Sequence, residues 1–233
     1  MKSPKVSILI PVFNRVTLLP DCIESIRRQT FSAIEIVIYD DGSTDGTGDL
    51  IHKLALEDDR IRYTINSANM GVSNARNFLL DLAVCDIACW QDSDDMSNIY
   101  RIEKQFSVME KTDKICVSTC HTKLFSHNKN ECFRYPGVFD GDRGNSLGSI
   151  MFRTKEAVRF IEDVNMGGED VDWKRDMKKS GIEFFNLPER LYYVRLTNRD
   201  RIGCLKLKHK KERMKSNERR RKRQARNLNM YDI

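Results

Sequence analysis

No stretch of about 18 apolar residues occurs anywhere in the 233 residues, which argues against a membrane-spanning helix. No Gly-x-Gly-x-x-Gly follows the first strand pattern and no Gly-Lys-Ser/Thr is present. Those absences weigh against a dinucleotide fold, a P-loop and a nucleotidyltransferase built on a glycine-rich phosphate loop. The seven cysteines are an odd set, several of them inside apolar runs. They suit buried reduced thiols in a cytosol-like compartment better than a disulfide framework. The pairs Cys85/Cys89 and Cys116/Cys120 share a zinc-like gap, but in strands that spacing only puts two side chains on one face. Met1 to Lys5 lead straight into a strand pattern with no cleavage site, so a secretory signal is not expected. There is no internal repeat.

What is present is a soluble, polar composition with 40% apolar and 32% charged residues, long enough for a real core and one domain with a tail. The net charge of +6 is unevenly spread. Between Lys206 and Arg226 there are 12 Lys and Arg against two Glu, a local net of +10, which leaves the remainder at −4.

The stretch that organises the chain is Ala88-Cys89-Trp90-Gln91-Asp92-Ser93-Asp94-Asp95. A short apolar strand over 86–91 ends in three carboxylates within four residues. Such crowded like charges need neutralising, by a hard divalent cation such as Mg²⁺ or Mn²⁺ or by bound water. Capping of a helix beginning near Ser97 is the simpler alternative.

In chain order, residues 6–12 read as a strand buried on both faces. Asn14 then opens a helix with Leu18, Leu19, Cys22, Ile23 and Ile26 at helical spacing. A strand over 34–39 stops at Asp40-Asp41-Gly42-Ser43, Thr44 caps a second helix, and 61–65 form a third strand. Gly71 and Ser73 lead a third helix into the acidic strand. Strand and helix alternate, which implies an α/β fold with a parallel sheet and right-handed crossovers. Beyond it the spacing predicts a helix over 99–110, a strand over 115–119, a polar hairpin or loop over 123–136 and a glycine-rich loop over 137–148. A strand over 149–152 follows, then a helix from Thr154, a helix from Glu169 to about Lys179 ended by Gly181, and two short strands over 183–186 and 191–196.

With these residues in view, the chain resembles the family 2 glycosyltransferases, which have the GT-A fold. The marks are 6–14, Asp40-Asp41-Gly42-Ser43-Thr44-Asp45, Asn69-Met70-Gly71-Val72-Ser73-Asn74-Ala75-Arg76-Asn77, Asp92-Ser93-Asp94-Asp95 and Gly168-Glu169-Asp170, in order. The resemblance implies a Rossmann-like, mostly parallel sheet, with a donor half over about 1–112 and a less regular acceptor half over about 113–204. Residues 205–233 would be a basic extension.

The same resemblance implies the site. Pro11, Phe13 and Asp41 match positions around the nucleotide base, although Asp41 also reads as a turn carboxylate bonded to its own backbone. Arg76 matches a cation near the diphosphate; an exposed helix arginine is the plainer reading. Asp92 and Ser93 match donor-side positions, Asp92 facing the ribose or the metal's water shell. Asp94 matches the ligand of Mn²⁺ or Mg²⁺, and Asp95 a turn support. Asp170 matches the general base, though acids at a helix start also stabilise the dipole. Glu169 would orient the base or meet the acceptor, and Trp173 is either a sugar platform or, preferably, a core anchor. The histidine that many relatives carry near the end is absent, with Arg195, Arg199 or Asp200 as candidates to replace it.

The implied function is inverting transfer from a nucleotide-diphospho-sugar, UDP-linked by preference, to a hydroxyl of a glycan or lipid-linked acceptor. The expected location is cytoplasmic. The tail fits a solvated extension or peripheral contact with an anionic membrane face better than nucleic acid, which it could grip without reading sequence. The competing class is a non-catalytic GT-A-fold binding protein acting through that tail.

Overall fold

The structure, a computed structural model, describes residues 3–126, 132–135, 146–162 and 168–196. The basic tail, Arg199, Asp200 and most of the glycine-rich loop lie outside these residues.

The N-terminal half alternates as its periodicity demands: β1 (Val6–Val12), α1 (Leu19–Arg27), β2 (Ile34–Asp40), α2 (Thr47–Glu57), β3 (Ile61–Ile65), α3 (Val72–Leu82) and β4 (Ile87–Trp90). A two-residue strand β5 (Met96–Ser97), absent from the sequence reading, precedes α4 (Arg101–Met109). The remainder comprises β6 (Ile115–Ser126), β7 (Cys132–Tyr135), β8 (Met151–Arg153), α5 (Glu169–Lys179) and β9 (Glu183–Leu196).

The strands form one mixed sheet in the order β3-β2-β1-β4-β8-β6-β9-β5, with β7 paired to β6. The first four are parallel, Val6 facing Ile34 on one side and Ile87 on the other. β8 runs antiparallel to β4 and β6. Every residue of β1 is buried because helices cover both faces. Val6, Ile8 and Ile10 enter one core with Leu19, Ile23, Ile51 and Ile102; Leu9 enters the other with Ala75, Leu79, Trp90 and Trp173. The chain leaves β1 toward β2 and returns to β4 on the opposite side. The carboxyl ends of β1, β2 and β4 therefore surround a topological switch point, where an open α/β sheet binds ligands.

Two expectations are corrected. Instead of a helix from Thr154 there is one 3₁₀ turn, Thr154–Glu156, followed by extended chain. Distant side chains replace the helical bonds there. The Asn77 amide takes both the N–H and the carbonyl of Phe160, at 2.8 and 3.0 Å, and the Trp173 indole N–H donates to the Val158 carbonyl at 2.8 Å. The two final strands are instead one, β9, with register shifts opposite Thr119 and Cys120. Pro188 has no N–H to donate, and the Thr119 hydroxyl closes the irregularity by bonding the Glu189 carbonyl and the Leu191 N–H.

Candidate functional site

The acidic turn follows directly from β4. Asp95 donates its N–H to the Asp92 carbonyl at 3.1 Å, and its side chain folds beneath, buried. There Asp95 Oδ1 accepts the Arg195 N–H at 2.8 Å and the carboxylate also meets the Tyr192 hydroxyl. Burial, with Asp92 and Asp94 close by, holds the Asp95 carboxyl well above the usual carboxylate range. This matches its expected part as the support of the turn. Arg195, a candidate replacement for the missing histidine, turns its guanidinium to Asp21 on α1 at 2.8 Å.

Asp92 and Asp94 point instead toward a cavity of about 300 Å³. Pro11 and Phe13 from the end of β1, Asp41 from the end of β2, Arg76 from α3, and Asp92, Ser93 and Asp94 all line it. The fold thus brings together residues up to 83 positions apart that share no local pattern. Asp41 is held by a neighbouring segment rather than its own turn: its two oxygens accept the N–H groups of Met70 and Gly71, at 2.8 and 2.7 Å. Gly71 has φ 92° and ψ 155°, a conformation closed to other residues.

Arg76 is no exposed helix arginine; its side chain is 7% exposed. One guanidinium nitrogen meets Glu169 Oε1 at 2.9 Å, the other meets Asp92 Oδ1 at 3.5 Å, and its carbon lies 5.3 Å from the Phe160 ring. Burial raises the Asp92 carboxyl, Arg76 opposes that rise, and the charges of Asp94, Asp170 and Glu169 add to it. Asp170 is in the first turn of α5, after Gly168 in the left-handed conformation. Its charge therefore acts on Asp92, although Asp170 does not line the cavity.

Trp173 is a core anchor and not a sugar platform. It is 1% exposed, stacks on Phe160 at 5.6 Å and lies edge-on to Trp90 and Phe152.

Three contributors escaped the sequence reading. Arg15 lines the cavity and pairs with Asp94 at 3.2 Å. Tyr192, fully buried, accepts the Asp92 N–H at 3.1 Å. Gly148 passes so close to Asp92 and Tyr192 that a Cβ there would overlap both. The only signal for Arg15 was its place in the turn after the first strand; a single tyrosine or glycine carries none.

Among the described residues no cluster of three or more His, Cys, Asp or Glu is arranged to hold a metal. Asp92 and Asp94 offer two hard carboxylates on the cavity floor, which fits Mg²⁺ or Mn²⁺ held by one or two acids together with substrate phosphates and water. The cysteine pairs form no such centre. Cys85, Cys89, Cys116 and Cys120 are free thiols.

The architecture is that of the GT-A glycosyltransferases. S. aureus TarS residues 1–349 in complex with UDP superposes with a TM-score of 0.68 at 18% identity, over 84% of this chain and 62% of that one. The mannosyltransferase PcManGT from Pyrobaculum calidifontis, in complex with GDP-Man and Mn²⁺, superposes at 0.67 and 16%, over 85% and 59%. The sequence profile of glycosyl transferase family 2 matches residues 7–156. The chain belongs to that family. EpsE of Bacillus subtilis (strain 168), which bears a provisional glycosyltransferase name, is 31% identical over 82% of this chain and 73% of its own length. A Campylobacter jejuni GalNAc(5)-diNAcBac-PP-undecaprenol β-1,3-glucosyltransferase is 39% identical over 40% of this chain and 30% of its own length. An uncharacterised glycosyltransferase of Rickettsia felis is 36% identical over 59% of this chain, which spans only 23% of that protein.

Proposed function

We propose that this protein is an inverting glycosyltransferase that moves a sugar from a nucleotide diphosphate, UDP by preference, to a hydroxyl of a glycan or lipid-linked acceptor. One observation carries the reading. Arg76 joins the acidic turn at Asp92 to Glu169, so the donor cavity and the Asp170-bearing end of α5 form a single site. UDP in TarS and GDP-Man in PcManGT support a nucleotide-linked donor. The undecaprenol-linked acceptor named for the Campylobacter relative supports a lipid-linked one.

Pro11, Phe13 and Asp41 bound the base end of the cavity and Arg76 neutralises charge at the diphosphate end. Asp94 and Asp92 would hold Mg²⁺ or Mn²⁺. A metal there supplies Lewis-acid stabilisation of the departing diphosphate. Asp170 takes the proton of the acceptor hydroxyl as that oxygen bonds to the anomeric carbon. The bond from that carbon to the diphosphate oxygen breaks on the opposite face, its electron pair leaving with the nucleotide, and the anomeric configuration inverts. Glu169, fixed by Arg76, orients the first turn of α5. No helix among the described residues is long and apolar enough to cross a membrane, and a lipid-linked acceptor would be met at the membrane face.

The test is release or transfer of sugar from a panel of UDP-, GDP- and dTDP-sugars with Mn²⁺ or Mg²⁺, with EDTA as control. Metal-dependent turnover of one donor is the expected result. Silence across the panel together with no nucleotide binding by calorimetry would refute the reading and favour a non-catalytic role.

A further inference from the structure

The two arginines at the acidic turn differ in kind. Arg76 is a buried, fixed charge with two carboxylate partners and an aromatic ring beneath it. Arg15 has a pinned backbone and a partly exposed head. Asn14 stands at φ 54°, an uncommon conformation for a non-glycine residue. It is held there by its N–H to the Ser43 hydroxyl at 2.8 Å and by its side-chain oxygen, which accepts the Thr44 N–H at 2.9 Å. The Arg15 N–H bonds the Thr47 hydroxyl at 2.8 Å. The side chain beyond is 36% exposed. Its guanidinium touches Asp94 Oδ2 at 3.2 Å and the carbonyls of Phe13 and Asn14 at 3.2 and 3.0 Å, and its Nε has no partner.

The cation on Asp94 is therefore a side chain on a short tether inside the donor cavity. We propose that Arg15 stands in for the divalent metal on Asp94 and transfers to the donor diphosphate once the metal takes that carboxylate. This rests on the donor site described above. In the metal-free protein Arg15 limits crowding of negative charge and competes with the metal. With metal and nucleotide present, Asp94 is occupied and the freed guanidinium meets the phosphate oxygens, for which its planar fork is suited. Metal and nucleotide then favour each other's binding, and that coupling is reciprocal.

The signature is a pair of opposite effects. Half-exposed ion pairs are worth up to about 1 kcal/mol, so R15Q should bind Mn²⁺ alone about two- to fivefold more tightly than wild type, read from free Mn²⁺ by electron paramagnetic resonance. Loss of a charge-assisted phosphate contact should weaken UDP binding in saturating Mn²⁺ roughly tenfold by calorimetry. UDP should also raise Mn²⁺ affinity less in R15Q than in wild type, and R15K should recover part of the UDP affinity. Unchanged Mn²⁺ affinity in R15Q, or weakening of both ligands, would overturn the proposal. If wild type binds Mn²⁺ and D94N does not, while R15Q changes neither ligand, only the role of Arg15 fails. If wild type binds no Mn²⁺ with or without UDP, the metal-assisted reading fails with it.

Discussion

Arg101 makes the sharpest demand on the structure. It opens α4 and is 0% exposed, and its hydrogen-bond partners are all neutral. Its Nε donates to the Gln105 side chain at 2.9 Å, Nη1 to Gln91 and Ser97 at 2.8 and 2.9 Å, and Nη2 to the carbonyls of Trp90 and Gly148 at 2.8 and 2.9 Å. The guanidinium carbon lies 4.9 Å from the Tyr192 ring. These contacts tie the last residue of β4 to the Gly148 turn, the two backbone segments from which Asp92 is presented. Ile150 gives its own N–H to Leu147 at 3.0 Å, so the Trp90 carbonyl opposite depends on Arg101. R101M keeps much of the volume and removes every donor. Each buried acceptor left without its donor costs about 1–3 kcal/mol, so losing the set should cost at least about 3 kcal/mol, a large share of the roughly 5–15 kcal/mol that holds a domain folded. Urea unfolding followed by the fluorescence of buried Trp90 and Trp173 should show a midpoint lowered to match. An R101M protein within about 1 kcal/mol of wild type would refute the argument that this cation holds the floor of the site.

Two further outcomes follow from the same floor and from the opposite end of the molecule. G148A places a methyl group within 2.6 Å of Asp92 Oδ2 and closer still to the Tyr192 hydroxyl; it should cost about 1–3 kcal/mol by overpacking and weaken Mn²⁺ binding, both measurable on the purified variant. Asp58 receives the Arg60 fork at 2.9 and 2.8 Å and Arg27 at 3.2 Å, and the bonds from Arg60 hold its carboxyl below the usual range. A depressed folded pKa stabilises above the unfolded value and is lost as pH falls through the folded one. The stability gap between wild type and D58N should therefore be full at neutral pH and shrink in acid; a gap independent of pH would contradict the pairing.

The legibility of this chain follows from where its information is local. Strands β1 and β2 read correctly because burial on both faces makes their sequences apolar apart from Ser7, Glu35 and Asp40, and the apolar face of α1 because Leu19, Cys22, Ile23 and Ile26 form a single stripe, although the helix begins at Leu19 and not at Asn14. The acidic ends of β2 and β4 pointed to one sheet edge, and the cavity does gather Asp41, Asp92 and Asp94. What failed depended on distant partners. The extended chain after Thr154 is set by Asn77 and Trp173, and no window of local periodicity contains those bonds. α3 buries Ser73, Asn74, Arg76 and Asn77 while Val72 and Phe78 are exposed, because its inward face serves the site as well as the core. Arg15 reaches Asp94 across 79 positions and Tyr192 reaches Asp92 across 100, and contacts at such separations leave no pattern in the chain.

Asp170, proposed to remove the acceptor's proton, belongs to a site whose donor half stands without it. Asp170 does not line the donor cavity, so D170N should still bind UDP in saturating Mn²⁺, while sugar transfer from the donor found in the panel falls by roughly 10²-fold or more. Transfer that persists in D170N at the wild-type rate would refute Asp170 as the base.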